Sequence, residues 1–274
     1  MTKIINETHL KQYNSDGYFT VSNFLNKIEI DYLLEKLTNK KVEKTGFYTS
    51  TCIEDNDYRN FCNNTIKDIV TENKINQYLE GYRVFYTNYI NKTPNSNSEV
   101  VLHTDWSIMD EKLYNPFKIW IPLIDVNINN GTFSLVKGSH KFTNKHRGFG
   151  ANEYYTAYSK ELIENNLNYL EYNAGQALFY HPGTLHYSPP NKSKYNRPAI
   201  LISLYPNNVD AILFYKNWYN FFNTMSVYKF EPDFMNIWDK KSKPTQLDYL
   251  YYVKENNKSI AKHEFLKLTS LNKV

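Results

Sequence analysis

The 274-residue sequence is short of several things, and each shortage closes off a class of protein. It has two cysteines, Cys52 and Cys62, too few for a disulfide framework and at a spacing that is no zinc motif, so both are expected to be reduced thiols. No apolar run approaches the length of a membrane span, and Met1-Thr-Lys-Ile-Ile-Asn-Glu leads into polar residues rather than the apolar stretch of a signal peptide. A soluble, cytoplasmic protein with no membrane partner is the expectation. There is no concentrated basic stripe either: 32 basic and 28 acidic residues are spread along the chain for a net charge of +4, which implies no nucleic-acid partner. The densest basic spot, Lys40-Lys41 with Lys44, is broken by Glu43 and reads as a solvated helix end. No internal repeat divides the chain, and one domain over 1–274 is expected at this length.

Aromatic residues, by contrast, are abundant, with 25 Tyr and 16 Phe, so much of the core volume is expected to be aromatic, with Tyr hydroxyls reaching partners or water. Between Lys27 and Leu37, the residues Ile30, Leu33, Leu34 and Leu37 recur at the spacing of one helix face. A second helix is predicted over 60–80, where Ile66, Ile69, Val70, Ile75 and Leu79 repeat in the same way. After Gly81 the period changes from helical to alternating. Strands are predicted over 83–90, 100–105, 117–123, 132–136, 177–180 and 199–205. The turn-forming tract Asn91-Lys-Thr-Pro94-Asn-Ser-Asn-Ser98 reads as a loop ahead of the second strand. Helices followed by short strands make an α+β fold, with the strands in a barrel or sandwich.

His103-Thr104-Asp105 stands in one of those strands. Two residues apart on a strand means one face, so both side chains aim at one spot. A histidine from a distant strand can complete a 2-His-1-carboxylate set, which fills one face of an octahedral metal and leaves positions open for other ligands. Alone, such a pair is more often an Asp orienting its neighbour. Two distant histidines compete for the third place, His181 and His186, separated by the turn Pro182-Gly183-Thr184. Arg197 offers a planar fork matched to a carboxylate. Pro198 biases it toward an extended backbone, and Ala199-Ile-Leu-Ile reads as a buried strand, which argues against a surface ion pair. Ser188 shares the strand face of His186.

The surroundings of these residues carry a resemblance. Asn130-Gly131-Thr132-Phe133-Ser134-Leu135-Val136-Lys137-Gly138-Ser139-His140-Lys141 and Gly175-Gln-Ala-Leu-Phe-Tyr-His181-Pro-Gly-Thr-Leu-His186-Tyr-Ser188-Pro-Pro-Asn191, with Arg197 beyond, are similar to two blocks of the phytanoyl-CoA dioxygenase (PhyH) family. Tyr13-Asn-Ser-Asp16-Gly17-Tyr18-Phe19-Thr-Val21-Ser-Asn-Phe24-Leu25 resembles the family's opening. The resemblance covers roughly 10–206, leaving 207–274 as a C-terminal extension whose aromatic clusters at Phe214-Tyr215, Trp218-Tyr219 and Tyr249-Leu250-Tyr251 are read as helical pieces.

The resemblance implies a double-stranded β-helix, the jelly roll of iron and 2-oxoglutarate dioxygenases, flanked by N-terminal helices. It implies Fe(II) on His103, Asp105 and His186. The eleven-residue step from His186 to Arg197 matches the family's iron-binding His and its 2-oxoglutarate-binding Arg. Ser188 would donate to the same cosubstrate carboxylate, and Trp120 matches a position lining the cosubstrate pocket. His181 is left a supporting or structural role, and His140 a structural one in its turn.

The implied reaction oxidises a substrate C–H bond with O2, releases succinate and CO2, and uses ascorbate as reductant in assays. Related halogenases carry Gly or Ala in place of the acid, so Asp105 favours hydroxylation. Desaturation, epoxidation and rearrangement remain open, as does the substrate, a polar small molecule or one tethered to an acyl carrier. The insert over 141–170, with Tyr154-Tyr155, His146 and Arg147, is expected to border the mouth of the site. Two other readings stay alongside. One is a noncatalytic jelly-roll binding protein, against which the intact triad and Arg197 argue; the other is a metal hydrolase or isomerase, which would have no use for Arg197.

Overall fold

The computed structural model describes residues 5–40, 42–143, 146–150, 155, 158–216, 223–238 and 242–255, with 263, 264 and 267. Helix α1 (Glu7–Asp16) is opened by Asn6, whose side chain accepts the His9 amide, and is closed by Gly17. Gly17 is required twice over. Its φ of +86° is one that L side chains avoid, and a Cβ there would lie 2.5 Å from Thr184 Oγ1 and 2.7 Å from His140 Nδ1. Strand β1 (Tyr18–Val21) follows, and Asn26 opens α2 (Lys27–Asn39) through a reciprocal capping box with Glu29. α2 buries Ile30, Leu33 and Leu37 on the predicted face, with Leu34 packed partly buried beside them.

After β2 (Phe47–Thr49), the single helix expected over 60–80 is two. α3 (Asn56–Ile69) stops where Val70 leaves helical geometry at φ −93°, ψ 70°, and Thr71 opens α4 (Glu72–Asn76) by accepting the Lys74 amide. The strands β3 (Tyr82–Lys92), β4 (Val100–His103), β5 (Phe117–Pro122), β6 (Ser134–Val136), β7 (Leu167–Tyr169), β8 (Ala177–Tyr180), β9 (His186–Ser188) and β10 (Arg197–Pro206) complete the core, with α5 (Ser159–Asn165) between β6 and β7. β4 ends two residues sooner than predicted, so Asp105 lies in an irregular segment, its amide donating to the Pro182 carbonyl at 2.9 Å.

Six strands form one antiparallel sheet in the order β1-β8-β5-β10-β3-β2, and four form a second in the order β4-β9-β6-β7. This is the two-sheet jelly roll that the resemblance implied. Alternation divides the large sheet into two faces. Phe117, Ile119, Ile121, Phe179, Ile200, Ile202 and Leu204 pack outward against α2, α3 and α4. The opposite face carries Trp120, Leu178, Tyr180 and Ala199, which pack with Phe133 and Leu135 of the small-sheet side. Residues on that inner face also stand in cross-strand rows: Lys118 is paired with Tyr180 and Ser203, and Trp120 with Leu178 and Leu201.

Two expectations are corrected. The C-terminal extension is chiefly β, not helical: β11 (Ile212–Tyr215), β12 (Thr224–Lys229) and β13 (Asp248–Lys254) form a three-stranded antiparallel sheet, with the one-turn helix α6 (Phe234–Ile237) between the last two strands. Phe214-Tyr215 and Tyr249-Leu250-Tyr251 thus sit in strands, as suits aromatic runs with a pleated surface to cover. Trp218-Tyr219 lie outside the described residues.

The insert after Lys141 does not border an open mouth with Arg147 and Tyr155. Arg147 is buried in an ion pair with Glu111, Nη2 to Oε1 at 2.5 Å, and its Nε donates to the Asp105 carbonyl at 2.8 Å. The buried Tyr155 hydroxyl accepts the Thr104 amide at 2.9 Å. His146 stacks on Phe214, ring centroids 5.1 Å apart, and Tyr154 lies outside the described residues. Among the described residues, no helix is long and apolar enough to cross a membrane.

Candidate active site

The small sheet brings the two histidines together. His103 ends β4 and His186 begins β9 as its register partner, and their ring centroids are 4.1 Å apart. Each imidazole is oriented by its own strand. Nδ1 of His103 lies 2.7 Å from the Val101 carbonyl, and Nδ1 of His186 lies 2.9 Å from the Thr184 carbonyl. A carbonyl can only accept, so each Nδ1 carries the proton and each Nε2 keeps its lone pair free for a metal. Asp105 arrives from the segment after β4, one oxygen 3.8 Å from His186 Nε2. One donor atom from each of His103, Asp105 and His186 falls within 4.8 Å of the others, an arrangement that could hold a metal ion.

The carboxylate is held from the large sheet. Tyr180 donates to Asp105 Oδ2 at 2.6 Å, and Lys118 Nζ lies 3.2 Å from Oδ1. Burial alone would raise the Asp105 pKa, but Lys118, the two imidazoles and Tyr180 outweigh it and hold the carboxyl well below the usual carboxylate range. Burial, and next the neighbouring His103, push His186 down to about 3. The set is therefore an anionic acid with a neutral His186, the protonation state that ligation requires. Phe133 stacks on the His186 ring at 4.9 Å and 10°.

Sequence reasoning missed Lys118 and Tyr180. A signal existed in Phe117-Lys118-Ile119-Trp120, where alternation places Lys118 on the face of Trp120, but its acidic partner is visible only in the fold.

Arg197 begins β10 and is 2% exposed, yet its Nε and Nη1 have no hydrogen-bond partner. Its guanidinium leans over Trp120, 5.8 Å from the ring centroid. Burial pulls it down to about 9. Lys92, its register partner on β3, is also buried. It donates to the Ser188 and Pro189 carbonyls, and burial, then the Arg197 charge, lower it to about 6. A buried guanidinium with donors left over is unfavourable unless an anion comes to it, and the family-implied carboxylate fits that vacancy of partners. Ser188 lines the same chamber as the triad and Trp120, but its hydroxyl donates to the Gly131 carbonyl at 2.9 Å. It would have to turn to reach a cosubstrate. His181 stands apart from the triad, with its ring against Tyr13 and His140 and its Nδ1 accepting the Gly183 amide. His140 packs there too, its Nε2 at 3.2 Å from the Asn14 carbonyl.

The family model for phytanoyl-CoA dioxygenase (PhyH) matches residues 13–199, a span that includes the triad and Arg197. The chain belongs to the PhyH family. It is accordingly an enzyme of oxygenase type. No curated protein matches the sequence. Several solved structures share the fold. The non-heme α-ketoglutarate-dependent carbocyclase SnoK from nogalamycin biosynthesis is 18% identical, over 77% of this chain and 87% of its own, with a TM-score of 0.59. The epimerase SnoN, in complex with Fe3+, α-ketoglutarate and nogalamycin RO, is 18% identical over 75% of this chain and 85% of its own, at 0.57. HygX from Streptomyces hygroscopicus, with nickel, 2-oxoglutarate and hygromycin B bound, is 12% identical over 74% and 88%, at 0.55. At such identities the likeness speaks for the jelly roll, and the PhyH assignment rests on the family match.

Proposed function

We propose that this PhyH-family enzyme binds Fe(II) through His103, Asp105 and His186, anchors the far carboxylate of 2-oxoglutarate on Arg197, and hydroxylates a C–H bond of a small molecule. The observation that carries this reading is the buried guanidinium of Arg197 with Nε and Nη1 unpartnered. A hydrolase or a mere scaffold would have no reason to maintain it. Iron and the cosubstrate, when bound, supply the oxidising chemistry, with O2 consumed and succinate and CO2 released.

The chain's own residues bind, orient and exclude water. Arg197 presents two parallel N–H donors to one carboxylate, and Trp120 covers the guanidinium so that water cannot compete. Ser188, once turned from Gly131, adds a third donor to that carboxylate. Lys118 and Tyr180 each hold one oxygen of Asp105, which fixes the rotation of the carboxylate and keeps it ionised. Asp105 itself favours hydroxylation, because the acid fills the position that an added anion would otherwise take. No side chain is required as general acid or base, consistent with a set in which every proton is already committed to a backbone or carboxylate partner. The binding of nogalamycin RO by SnoN and of hygromycin B by HygX supports a small-molecule substrate here.

The test is succinate formation from 2-oxoglutarate with Fe(II), O2 and ascorbate, beside His103→Ala and Arg197→Ala. Turnover that vanishes in the first and falls in the second supports the reading. No turnover together with no 2-oxoglutarate binding under anaerobic Fe(II) would sink it.

A further inference from the structure

The chamber over the triad has a cavity volume of 430 Å³, within the range of small-molecule pockets, about 300–1,000 Å³. Its charged and metal-ligating side chains are all in one place. Among the described lining residues, the only Asp, Glu, Lys, Arg or His are Asp105, Lys118, His103 and His186, and Lys118 is already spent on Asp105. The one nearby cation that suggested an anionic substrate, Arg147, is neutralised by Glu111 away from the chamber. Beyond the metal centre the wall is apolar, made of Phe85, Trp106, Ile108, Leu213, Phe230 and Met235. Opposite it, on the large-sheet side, Thr49, Asn88 and Ser203 offer neutral hydrogen-bonding groups.

Three of the six apolar residues come from outside the family match, which ends at residue 199. Leu213 stands on β11, Phe230 follows β12, and Met235 is on α6. They belong to one buried cluster that ties the C-terminal sheet to Phe85, Tyr86 and Met109, with Trp106, Ile108 and Met235 packed against it. The extension therefore closes the substrate end of the chamber.

From this we infer that the substrate is an uncharged, largely apolar ring-bearing molecule with hydroxyl or carbonyl groups along one edge, and that the C-terminal extension selects it through Leu213, Phe230 and Met235. This inference rests on the proposed iron and 2-oxoglutarate chemistry at the same centre. A charged group carried into that wall would lose its water and find no partner, whereas a flat apolar ring removes its own surface and that of the wall from water together.

The experiment is calorimetric titration of the full chain with 2-naphthol, a neutral fused ring with one hydroxyl, and with naphthalene-2-sulfonate, its anionic counterpart. Ni(II) with 2-oxoglutarate is titrated separately. The expected result is that 2-naphthol binds and the sulfonate binds at least roughly tenfold more weakly, since an unpaired charge is disfavoured in an apolar site. Leu213→Asp and Met235→Asp should each weaken 2-naphthol by about tenfold or more, and Met235, the less buried of the two, provides the second variant if Leu213→Asp does not fold. Sulfonate binding equal to or tighter than 2-naphthol, or wild-type affinity in a folded Met235→Asp, overturns the inference. Binding of Ni(II) and 2-oxoglutarate without 2-naphthol overturns the substrate class and leaves the proposed function standing; 2-naphthol binding without 2-oxoglutarate does the reverse.

Discussion

At the scale of single residues, Arg197 sets stability against function. A guanidinium that is 2% exposed with two unpartnered donors costs the ligand-free fold, and replacing such a group by an apolar side chain of similar length is often stabilising by about 1–4 kcal/mol. Arg197→Met should therefore raise the melting temperature of the ligand-free protein while lowering 2-oxoglutarate affinity by about 2–5 kcal/mol. Paired calorimetry of melting and of binding reads both. A variant that is less stable without ligand would contradict the unpaired state described. Lys92 makes a companion case in pH. Its amine is pushed down to about 6 from an ordinary 10.5, so between those values the unfolded chain holds a proton that the folded chain does not. Unfolding then takes up a proton, and stability rises with pH across the window. Relative to Lys92→Met, the wild type should gain roughly 2 kcal/mol between pH 6.5 and 8.5 in urea unfolding; parallel curves would refute it. Arg197 was legible in the sequence because Pro198 and the apolar run after it imposed an extended, buried backbone. Lys118 was not. A lysine in a strand is usually an edge charge, and Tyr180 and Ser203 become its neighbours only when β5 pairs with β8 and β10.

At the scale of elements, the segment around Arg147 acts as a clamp. Its Nε holds the Asp105 carbonyl while its other nitrogens take both oxygens of Glu111, and Ser107 donates to Glu111 as well. Removing one partner of such a buried pair costs about 3–5 kcal/mol, whereas removing both is often close to neutral. Arg147→Met alone should be strongly destabilised in urea, and Arg147→Met with Glu111→Leu should recover most of the loss. If the double variant is as weak as the single, the pair is not the source of the effect. The sequence presented this segment as a lid because a long insert with Tyr and Arg has the composition of a surface loop, and the matching acid at 111 is invisible without the fold. The strands of the extension were hidden differently. Clusters such as Phe214-Tyr215 and Tyr249-Leu250-Tyr251 suit a helix face as well as a pleat until the pairing of β11 with β12 and of β12 with β13 decides. The break at Val70 was more readable, since Thr71 three residues before Lys74 is an N-cap in the ordinary pattern.

At the scale of the molecule, the order of blocks was enough to place the jelly roll and the His103, Asp105 and His186 set. The reason is physical. Each strand fixes its own histidine through the carbonyl two residues earlier, and alternation does the rest. The shape of the chamber lay beyond that reach, because its far wall is built by an extension that pairs with itself and packs back across the barrel. Ligand binding should stabilise the whole: Ni(II) at a hundredfold over its dissociation constant should add about 2.7 kcal/mol, and more with 2-oxoglutarate. Differential scanning calorimetry should show the gain in the wild type and lose it in His103→Ala.

One feature of the small sheet carries this further. β4 and β9 meet at Val100 with Ser188 and at His103 with His186, and the ladder is irregular between those two points. Their seam is thus stitched at its ends and loose in the middle, and two of the three candidate ligands face each other across its last stitch. A divalent ion there is a clasp as well as a reagent. Opening the seam and surrendering the ion become one event, so a centre that loses its metal also loses the closure of its barrel, and the protein's readiness to react is tied to its readiness to stay shut.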